Sequence, residues 1–129
     1  MHPDLLMFFD QKPLEFDLYL ALEAAVLNRF PETQINIQKT QISFRCKRIF
    51  ACASLPVRRK KNWPEHCIIL TFGLPQPLAS PRIAALSPIS PRRFTHHVLI
   101  AQTGAIDDEL LSWLDQAFAL ADRPGKALP

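Results

Sequence analysis

Two stretches of helical periodicity enclose a middle region in which apolar and polar residues alternate. Leu14–Phe30 is predicted as a helix, and Pro31 ends it because the residue before a proline is pushed out of the helical region. Asp107–Arg123 is predicted as a second helix, since acidic residues open it where the helix dipole favours them. The predicted buried stripes are Leu14, Leu18, Leu22 and Ala25 in the first helix, and Leu110, Leu114, Ala117 and Ala121 in the second, widened by Leu111, Trp113 and Phe118.

Between the helices the apolar period is two, which is typical of half-buried strands. The predicted strands are a run around Ile35 and Ile37, followed by Ile42–Cys46, Ile49–Leu55, Cys67–Leu74 and Arg93–Ala101. In Cys67–Leu74 the inward residues are Ile68, Leu70 and Phe72, with Thr71 outward. In Arg93–Ala101 one face holds Phe94, His96, Val98 and Ile100, and the other holds Thr95, His97, Leu99 and Ala101.

The pairing of the second and third strands depends on the length of the turn between them. A loop of two or four residues places Phe44 opposite Ala51, and it puts Ile42, Phe44, Cys46, Ile49, Ala51, Ala53 and Leu55 on one side. The other side would then hold Ser43, Arg45, Phe50, Cys52 and Ser54. A loop of three residues would reverse the faces of the third strand.

The order of elements predicts one α+β domain over residues 1–129. Short connections favour a mostly antiparallel sheet of about five strands, with an N-terminal and a C-terminal helix packed on one face. His2–Phe9 is predicted as a short helical turn, and residues 1–12 and 123–129 are expected to be loosely attached ends. The other face of the sheet is expected to stay uncovered and to carry Arg45, Phe50, Cys52 and His97.

Five prolines punctuate residues 75–91, between the last two predicted strands. Proline lacks a backbone donor and fixes its own φ angle, so a regular helix or a central strand is excluded there. A long connection of this kind acts either as a mobile lid or as a stiff crossover of the sheet. Both interpretations remain open.

Composition and cysteine usage narrow the class of protein. The chain has 129 residues, of which 48% are hydrophobic, so a folded domain is expected rather than a disordered chain. The sequence contains no apolar run long enough for a membrane span and no signal-peptide pattern, and a cytoplasmic location is expected. Cys46, Cys52 and Cys67 are odd in number and lack Cys-x-x-Cys spacing, so they are interpreted as small hydrophobes in strands. Neither a metal nor a cofactor is predicted.

The distribution of charge says more than the total of +3. Residues 1–38 carry two basic and six acidic side chains, and residues 94–129 carry two basic and five acidic ones. Residues 39–93 carry eleven basic side chains and one acidic one, a net charge of +10. The middle of the chain is therefore expected to hold any site for an acidic partner.

Basic residues mark two candidate anion sites. Arg58, Arg59, Lys60 and Lys61, followed by Trp63, resemble a nucleic-acid contact, because cations neutralise phosphates and an indole stacks on an unpaired base. Arg82, Arg92 and Arg93 precede or open the last strand, where guanidinium groups suit phosphate or carboxylate. The alternatives are a solvated loop for the first group and ion pairing with Asp107 or Asp108 for the second.

The two adjacent histidines cannot bind one metal as neighbours, because consecutive strand residues point to opposite faces. His96 shares its face with apolar residues and is predicted to be a core histidine with a backbone or carboxylate partner. His97 faces the uncovered side and is a candidate anion donor or acid–base group. No Ser-His-Asp order, phosphate-binding loop or Gly-x-Ser-x-Gly motif accompanies it, so catalysis is not favoured.

Several short motifs resemble a small bacterial family known as domain of unknown function 5655. They are Ile42-x-Phe44, Phe50-Ala51, Leu70-x-Phe72-x-Leu74, Arg92-Arg93 followed by His96-His97-Val98, and Ile106–Leu110 with Trp113-Leu114. The resemblance runs from about Phe16 to Leu120. It implies the domain boundaries and a bacterial, cytoplasmic setting, and it assigns no catalytic residue.

These observations favour a non-catalytic binding module that holds an acidic partner, such as nucleic acid, a phosphate-bearing ligand or an acidic protein, through a basic sheet face. The candidate residues are Arg45, Arg58, Arg59, Lys60, Lys61, Trp63, Arg82, Arg92, Arg93 and His97. One alternative is a homodimer in which Phe50, Cys52, Ile69 and Leu99 cover each other. The other is an enzyme centred on His97, with Arg92 or Arg93 as an anion clamp.

Overall fold

The computed structural model describes residues 2–123. The elements are α1 (Pro3–Phe8), α2 (Pro13–Arg29), β1 (Gln34–Ile37), β2 (Ile42–Arg45), β3 (Ile49–Ser54), β4 (Ile68–Leu74), β5 (Ile83–Ser90), β6 (Arg93–Ile100), a 3-10 turn (Thr103–Ala105) and α3 (Asp108–Ala121). Proline opens both α1 and α2, at the position where a missing amide proton costs least. Asp107 caps α3 by accepting a hydrogen bond from the amide of Leu110 at 3.0 Å.

The six strands form one antiparallel sheet in the order β1-β2-β3-β4-β6-β5. The helices contribute buried apolar residues to a core on one face of this sheet, and the rings of Tyr19 and Phe44 stack there with centroids 6.3 Å apart. The predicted α+β architecture, with an N-terminal and a C-terminal helix on one face, is confirmed. The sheet has six strands where about five were expected.

The additional strand is β5, which lies in the proline-rich segment that we expected to be a lid or a crossover without regular structure. It pairs with β6 and forms the outer edge of the sheet. Pro88 fits there because an edge strand has one side without pairing, and the pairing register shifts beside this proline. Leu78, earlier in the segment, donates its amide to the ring of His96 at 3.0 Å, so this end of the segment is attached to the core.

The predicted inward residues of β2, β3 and β4 are largely confirmed. Ile42, Phe44, Ala51 and Ala53 are buried, as are Ile68, Leu70 and Phe72. In β6, His96, Val98 and Ile100 are buried on the same side. His96 is the predicted core histidine, with the backbone of Phe94 and Leu78 as its partners.

The prediction was wrong for Ile49 and Phe50, because β3 contains a bulge. Phe44 pairs with Ala51 as expected, but Arg45 pairs with Ile49, so that Phe50 is an extra residue in β3. Phe50 therefore turns toward the helices, where it is 3% exposed and its ring lies 5.2 Å from that of Phe118. Ile49 is 44% exposed. Phe50 thus does not belong to the uncovered face, and it cannot take part in a dimer contact there.

The buried stripe of α2 also differs from the prediction. It consists of Glu15, Leu18, Tyr19, Leu22 and Val26, whereas Leu14 is 52% exposed. Apolar residues occur on several sides of this helix, so their spacing did not determine which side faces the sheet. The stripe predicted for α3 is confirmed, since Leu110, Leu114, Ala117 and Ala121 are all buried.

The N-terminal segment is packed more tightly than the sequence predicted, and two of the cysteines lie outside the strands. Leu5 and Phe9, in the segment expected to be loosely attached, are buried in the core. Residues 123–129 were also expected to be loosely attached, but residues 124–129 lie outside the part of the chain that the structure describes. Only Cys52 lies within a strand, because Cys46 follows β2 and Cys67 precedes β4.

Among the described residues, no helix has the length and apolar character that crossing a bilayer requires.

Candidate functional site on the uncovered sheet face

A row of mainly small, polar residues crosses the face of the sheet opposite the helices. Paired residues project to the same side of a sheet. The pairing runs from Asn36 to Ser43, Cys52, Thr71, His97 and Ala85, one residue from each of the six strands. We call these six residues the central row.

Hydrogen bonds connect neighbours within the central row. The ring Nδ1 of His97 lies 2.9 Å from the hydroxyl oxygen of Thr71. Ser43 donates its hydroxyl proton to the side-chain oxygen of Gln38 at 3.1 Å and accepts a hydrogen bond from the side-chain amide of Gln41 at 3.1 Å. These contacts hold the polar groups in place, with Ser43 only 1% exposed and Thr71 and His97 half-buried.

His97 is placed on the uncovered face, as its position in the strand predicted. Burial lowers the pKa of its imidazole below the usual range, because the charged form is desolvated at this half-buried site. The ring is therefore neutral near pH 7. Since one nitrogen is engaged by Thr71, His97 can offer a neutral hydrogen-bonding group to a ligand, and it supplies no positive charge there.

Cys52 lies between Ser43 and Thr71 in the central row. Burial raises the pKa of its thiol, so the thiolate that a nucleophilic cysteine requires is disfavoured. Thr71 separates Cys52 from His97 in the row, and the two side chains are therefore two strands apart. This arrangement differs from the direct contact between nucleophile and base that covalent catalysis uses.

A shallow groove of about 350 Å³ occupies this part of the face. Its lining combines polar residues of the central row with apolar side chains near the start of the loop between β3 and β4. The lining residues are Thr40, Gln41, Cys52, Ser54, Leu55, Val57, Ile69, Thr71 and His97. Val57 is 95% exposed, so the apolar end of the groove is open to solvent.

Arg58, Arg59, Lys60 and Lys61, which we call the loop cations, follow directly after this apolar end. All four are exposed, and within residues 2–123 none of them forms an ion pair with a carboxylate. Trp63 is half-buried, and the ammonium of Lys60 lies 5.8 Å from the centre of its ring. The predicted basic loop thus borders the uncovered face at one end of β3 and β4.

Arg45, Arg92 and Arg93, which we call the strand-end cations, lie at the opposite end of the sheet. Arg45 ends β2, and Arg93 begins β6 next to the turn that contains Arg92. The side chain of Arg93 extends over Gly73, where an added Cβ would lie 3.4 Å from its Cδ. All three arginines are exposed, and none has a carboxylate partner in the part of the chain that the structure describes.

Arg82 is separated from the other candidate residues. It binds Asp107 at 3.0 Å and Glu109 at 2.9 Å, donates to the carbonyl of Ala105 at 2.7 Å, and stacks over the ring of Trp113. The amide of Leu110 and the guanidinium of Arg82 both lower the pKa of Asp107. The alternative of ion pairing with the acidic helix start therefore describes Arg82, whose guanidinium is occupied within the fold.

In residues 2–123 the strands of the uncovered face carry cations and neutral polar groups but no carboxylate. Within the described residues, none of the six strands contains Asp or Glu, and the acidic side chains belong to helices, turns and loops. This separation arises because the acidic residues are concentrated near the two ends of the sequence, which form the helices. The +10 charge of residues 39–93 is thereby only partly neutralised by the fold, through Arg82.

Two residues near the site were not identified from the sequence. Glu15 is only 6% exposed, and its carboxylate lies 3.0 Å from Nδ1 of His66, at the end of the loop that carries the loop cations. The signal was its position three and four residues before Leu18 and Tyr19, on the buried stripe of α2. A charged residue at such a position requires a partner, and His66 provides it.

The described residues contain no group of three or more His, Cys, Asp or Glu side chains that could hold a metal ion. The model of a family described as domain of unknown function, DUF5655, matches residues 8–121, which is most of the chain. Neither the curated proteins nor the solved structures contain a match.

Proposed function

This chain belongs to the DUF5655 family, and we propose that it is a non-catalytic binding module for an acidic partner. The observation that carries the proposal is the uncovered sheet face, whose strands contain no carboxylate in the part of the chain that the structure describes, with exposed cations at both ends of the sheet. A surface of this kind attracts anions, because within residues 2–123 none of the loop cations or strand-end cations is paired with a carboxylate. Nucleic acid, a phosphate-bearing ligand and an acidic protein surface are the partner classes that fit.

The neutral groups between the cations support binding by hydrogen bonds. Thr71 and His97, which are both half-buried, present a hydroxyl and an imidazole group on the central row. Such groups commonly contact phosphate oxygens in protein complexes with nucleic acids. They add contacts to the electrostatic attraction without adding a desolvated charge.

The geometry favours binding over catalysis. His97 and Arg93 lie on the same face of β6 but four residues apart, which corresponds to about 13 Å along a strand. A substrate anion held by Arg93 would therefore lie far from the imidazole that would have to act on it. The protonated thiol of Cys52 offers no alternative nucleophile near pH 7.

Retention on heparin at low salt tests the proposal. The variant with Arg58→Ser, Arg59→Ser, Lys60→Ser and Lys61→Ser should elute at much lower salt than the wild-type protein. A control with Lys12→Glu, Asn28→Asp and Gln116→Glu lowers the formal net charge by the same amount, from +3 to −1, but at exposed positions of the helical layer. Wild-type protein in the flow-through, or equal elution of the two variants, would contradict the proposal.

A homodimer through the same face is the second candidate, favoured by the exposed Val57 beside Leu55 and Ile69. In a symmetric face-to-face dimer these apolar side chains could cover each other. The mass measured by light scattering at high micromolar concentration tests this candidate. A dimer that Val57→Ser converts to a monomer would support it, and a monomeric wild-type protein would rule it out.

A further inference from the structure

The loop cations and the strand-end cations lie at opposite ends of the sheet. Strand alternation places Arg45 and Arg93 on the face of the central row, and Arg93 also lines a small cavity with Phe50 and with Ala117 and Ala121 of α3. The loop cations follow the end of β3 and precede the start of β4, whereas Arg45 and Arg93 lie beside the start of β3 and the end of β4. β4 contains seven residues, so the two groups are separated by about 20 Å at the usual rise per strand residue. A single phosphate group can reach only one of them. A partner that uses both groups must be an extended polyanion.

The surface between the two groups lacks the feature that binds unpaired bases. Proteins that hold single strands stack the bases on aromatic side chains. In the described structure, none of the strand residues on the face of the central row is Phe, Tyr or Trp. The ring of His97 is on this face, but it is already hydrogen-bonded to Thr71. Trp63 is half-buried in the loop beneath the ammonium of Lys60. The contacts that this face can make are therefore contacts with a sugar–phosphate backbone.

A nucleic-acid duplex matches this arrangement of charge. It presents a regular array of phosphates along its length, with about 3.4 Å per base pair, so that about six base pairs span the roughly 20 Å between the two cationic groups. The half-buried Thr71 and His97 of the central row lie between the two groups, where the intervening phosphates would pass. No strand carboxylate repels the duplex at any point of the described face.

We infer that the partner of this domain is a double-stranded nucleic acid, whose phosphates contact the loop cations and the strand-end cations at the same time. This inference rests on the proposed function, and it specifies which kind of acidic partner the domain binds. Because the contacts are with phosphates, binding is independent of base sequence and depends strongly on salt.

Fluorescence anisotropy with labelled hairpins tests the inference, using stems of about 6, 12 and 18 base pairs and a single strand of matched length. Affinity should rise between the shortest stem and the longer ones, and the longer stems should bind more tightly than the single strand. Each phosphate contact contributes about 0.9 to the slope of log affinity against log salt, so Arg45→Ser with Arg93→Ser should lower that slope by up to about 1.8. Arg45→Lys with Arg93→Lys should restore it, since only the charge is needed.

The outcomes separate the inference from the proposed function. Equal affinity for the single strand and the duplex, tighter binding of polyglutamate, or an unchanged salt slope in the Arg45→Ser, Arg93→Ser variant would overturn the duplex inference, while heparin retention would leave the binding function standing. Wild-type protein that binds neither heparin nor any of the polyanions would overturn both. Thermal unfolding of each variant confirms that a lost affinity does not reflect a lost fold.

Discussion

His96 should make the stability of this protein depend on pH in a range where most of its other groups do not titrate. The ring is fully buried and stacks on Phe72 with centroids 5.4 Å apart. Its Nε2 accepts the amide proton of Leu78 at 3.0 Å, and its Nδ1 lies 3.1 Å from the carbonyl oxygen of Phe94. Because Leu78 can only donate, Nε2 must be unprotonated and Nδ1 carries the proton. Protonation of Nε2 would replace a hydrogen bond with two opposed donors.

Burial lowers the pKa of His96 below its ordinary value of 6.5. Below about pH 6.5 the unfolded chain therefore binds a proton that the folded chain resists, and the unfolded state gains stability relative to the folded one. The free energy of unfolding should fall as the pH decreases from about 6.5 toward the lowered pKa, by up to about 1.4 kcal/mol per pH unit for this residue. Above about pH 7 both states carry a neutral ring, and the contribution should be constant.

Urea unfolding between about pH 7.5 and pH 5 measures this dependence. His96→Gln keeps an acceptor for the amide of Leu78 and cannot titrate, so it should remove most of the slope, at some loss of stability at neutral pH. His97→Gln is the matched control, and it should change the slope less because its ring is only half-buried. A wild-type slope that persists in His96→Gln, or no slope in the wild-type protein, would refute the assignment.

Three further predictions concern packing, ion pairing and thiol reactivity. Phe50→Ala should lower the free energy of unfolding by about 3–5 kcal/mol in urea, because it empties a buried site. Ile49→Ala should lower it by less than about 1 kcal/mol. Equal effects of the two substitutions would refute the bulge that buries Phe50 and exposes Ile49. Arg82→Gln should cost about 1–3 kcal/mol, since it breaks contacts with two carboxylates, a carbonyl and an indole. Arg92→Gln should be neutral within about 0.5 kcal/mol, and the same loss in both variants would contradict the distinction. Cys52 should react with iodoacetamide far more slowly in the folded protein than in urea near pH 7, as measured by mass spectrometry, because burial raises the pKa of its thiol. Equal rates would show that folding neither shields this thiol nor raises its pKa.

Periodicity was sufficient where one face of an element is clearly apolar. In β4 and β6 strict alternation identified the buried residues, including the core position of His96, and α3 has a single apolar stripe that opens with a capping aspartate. In α2 apolar residues lie on several sides, so the side that is buried depends on tertiary contacts of Tyr19 with Phe9, just before the helix, and with Phe44, which is distant in sequence. Periodicity therefore located this helix but did not orient it.

Two features of the site depend on pairing that the sequence does not determine. The bulge that turns Phe50 inward follows from the pairing of Arg45 with Ile49, and a one-residue shift of this kind has no marker such as glycine in the turn. The strand β5 depends on its place at the edge of the sheet, where a proline is tolerated. The candidate basic residues were all visible in the sequence, and pairing of this group with Asp107 was one of two open alternatives. The side-chain contacts of Arg82 decided between them, and the strand register showed that Arg45 and Arg93 lie at the same end of the sheet.

The separation of charge between the two layers also bears on the choice between the candidate functions. A symmetric dimer that joins two uncovered faces would bring the cations of one copy toward those of the other, with no strand carboxylate in the described sheet to compensate. Burying such like charges together is unfavourable, so the apolar contact around Val57 would have to exceed that cost. A polyanion on the same face removes the repulsion between the cations instead of increasing it. The electrostatics of the fold therefore favour an acidic partner over a second copy in this orientation. A dimer that forms only at high salt, where the repulsion between the cations is screened, would instead favour the homodimer.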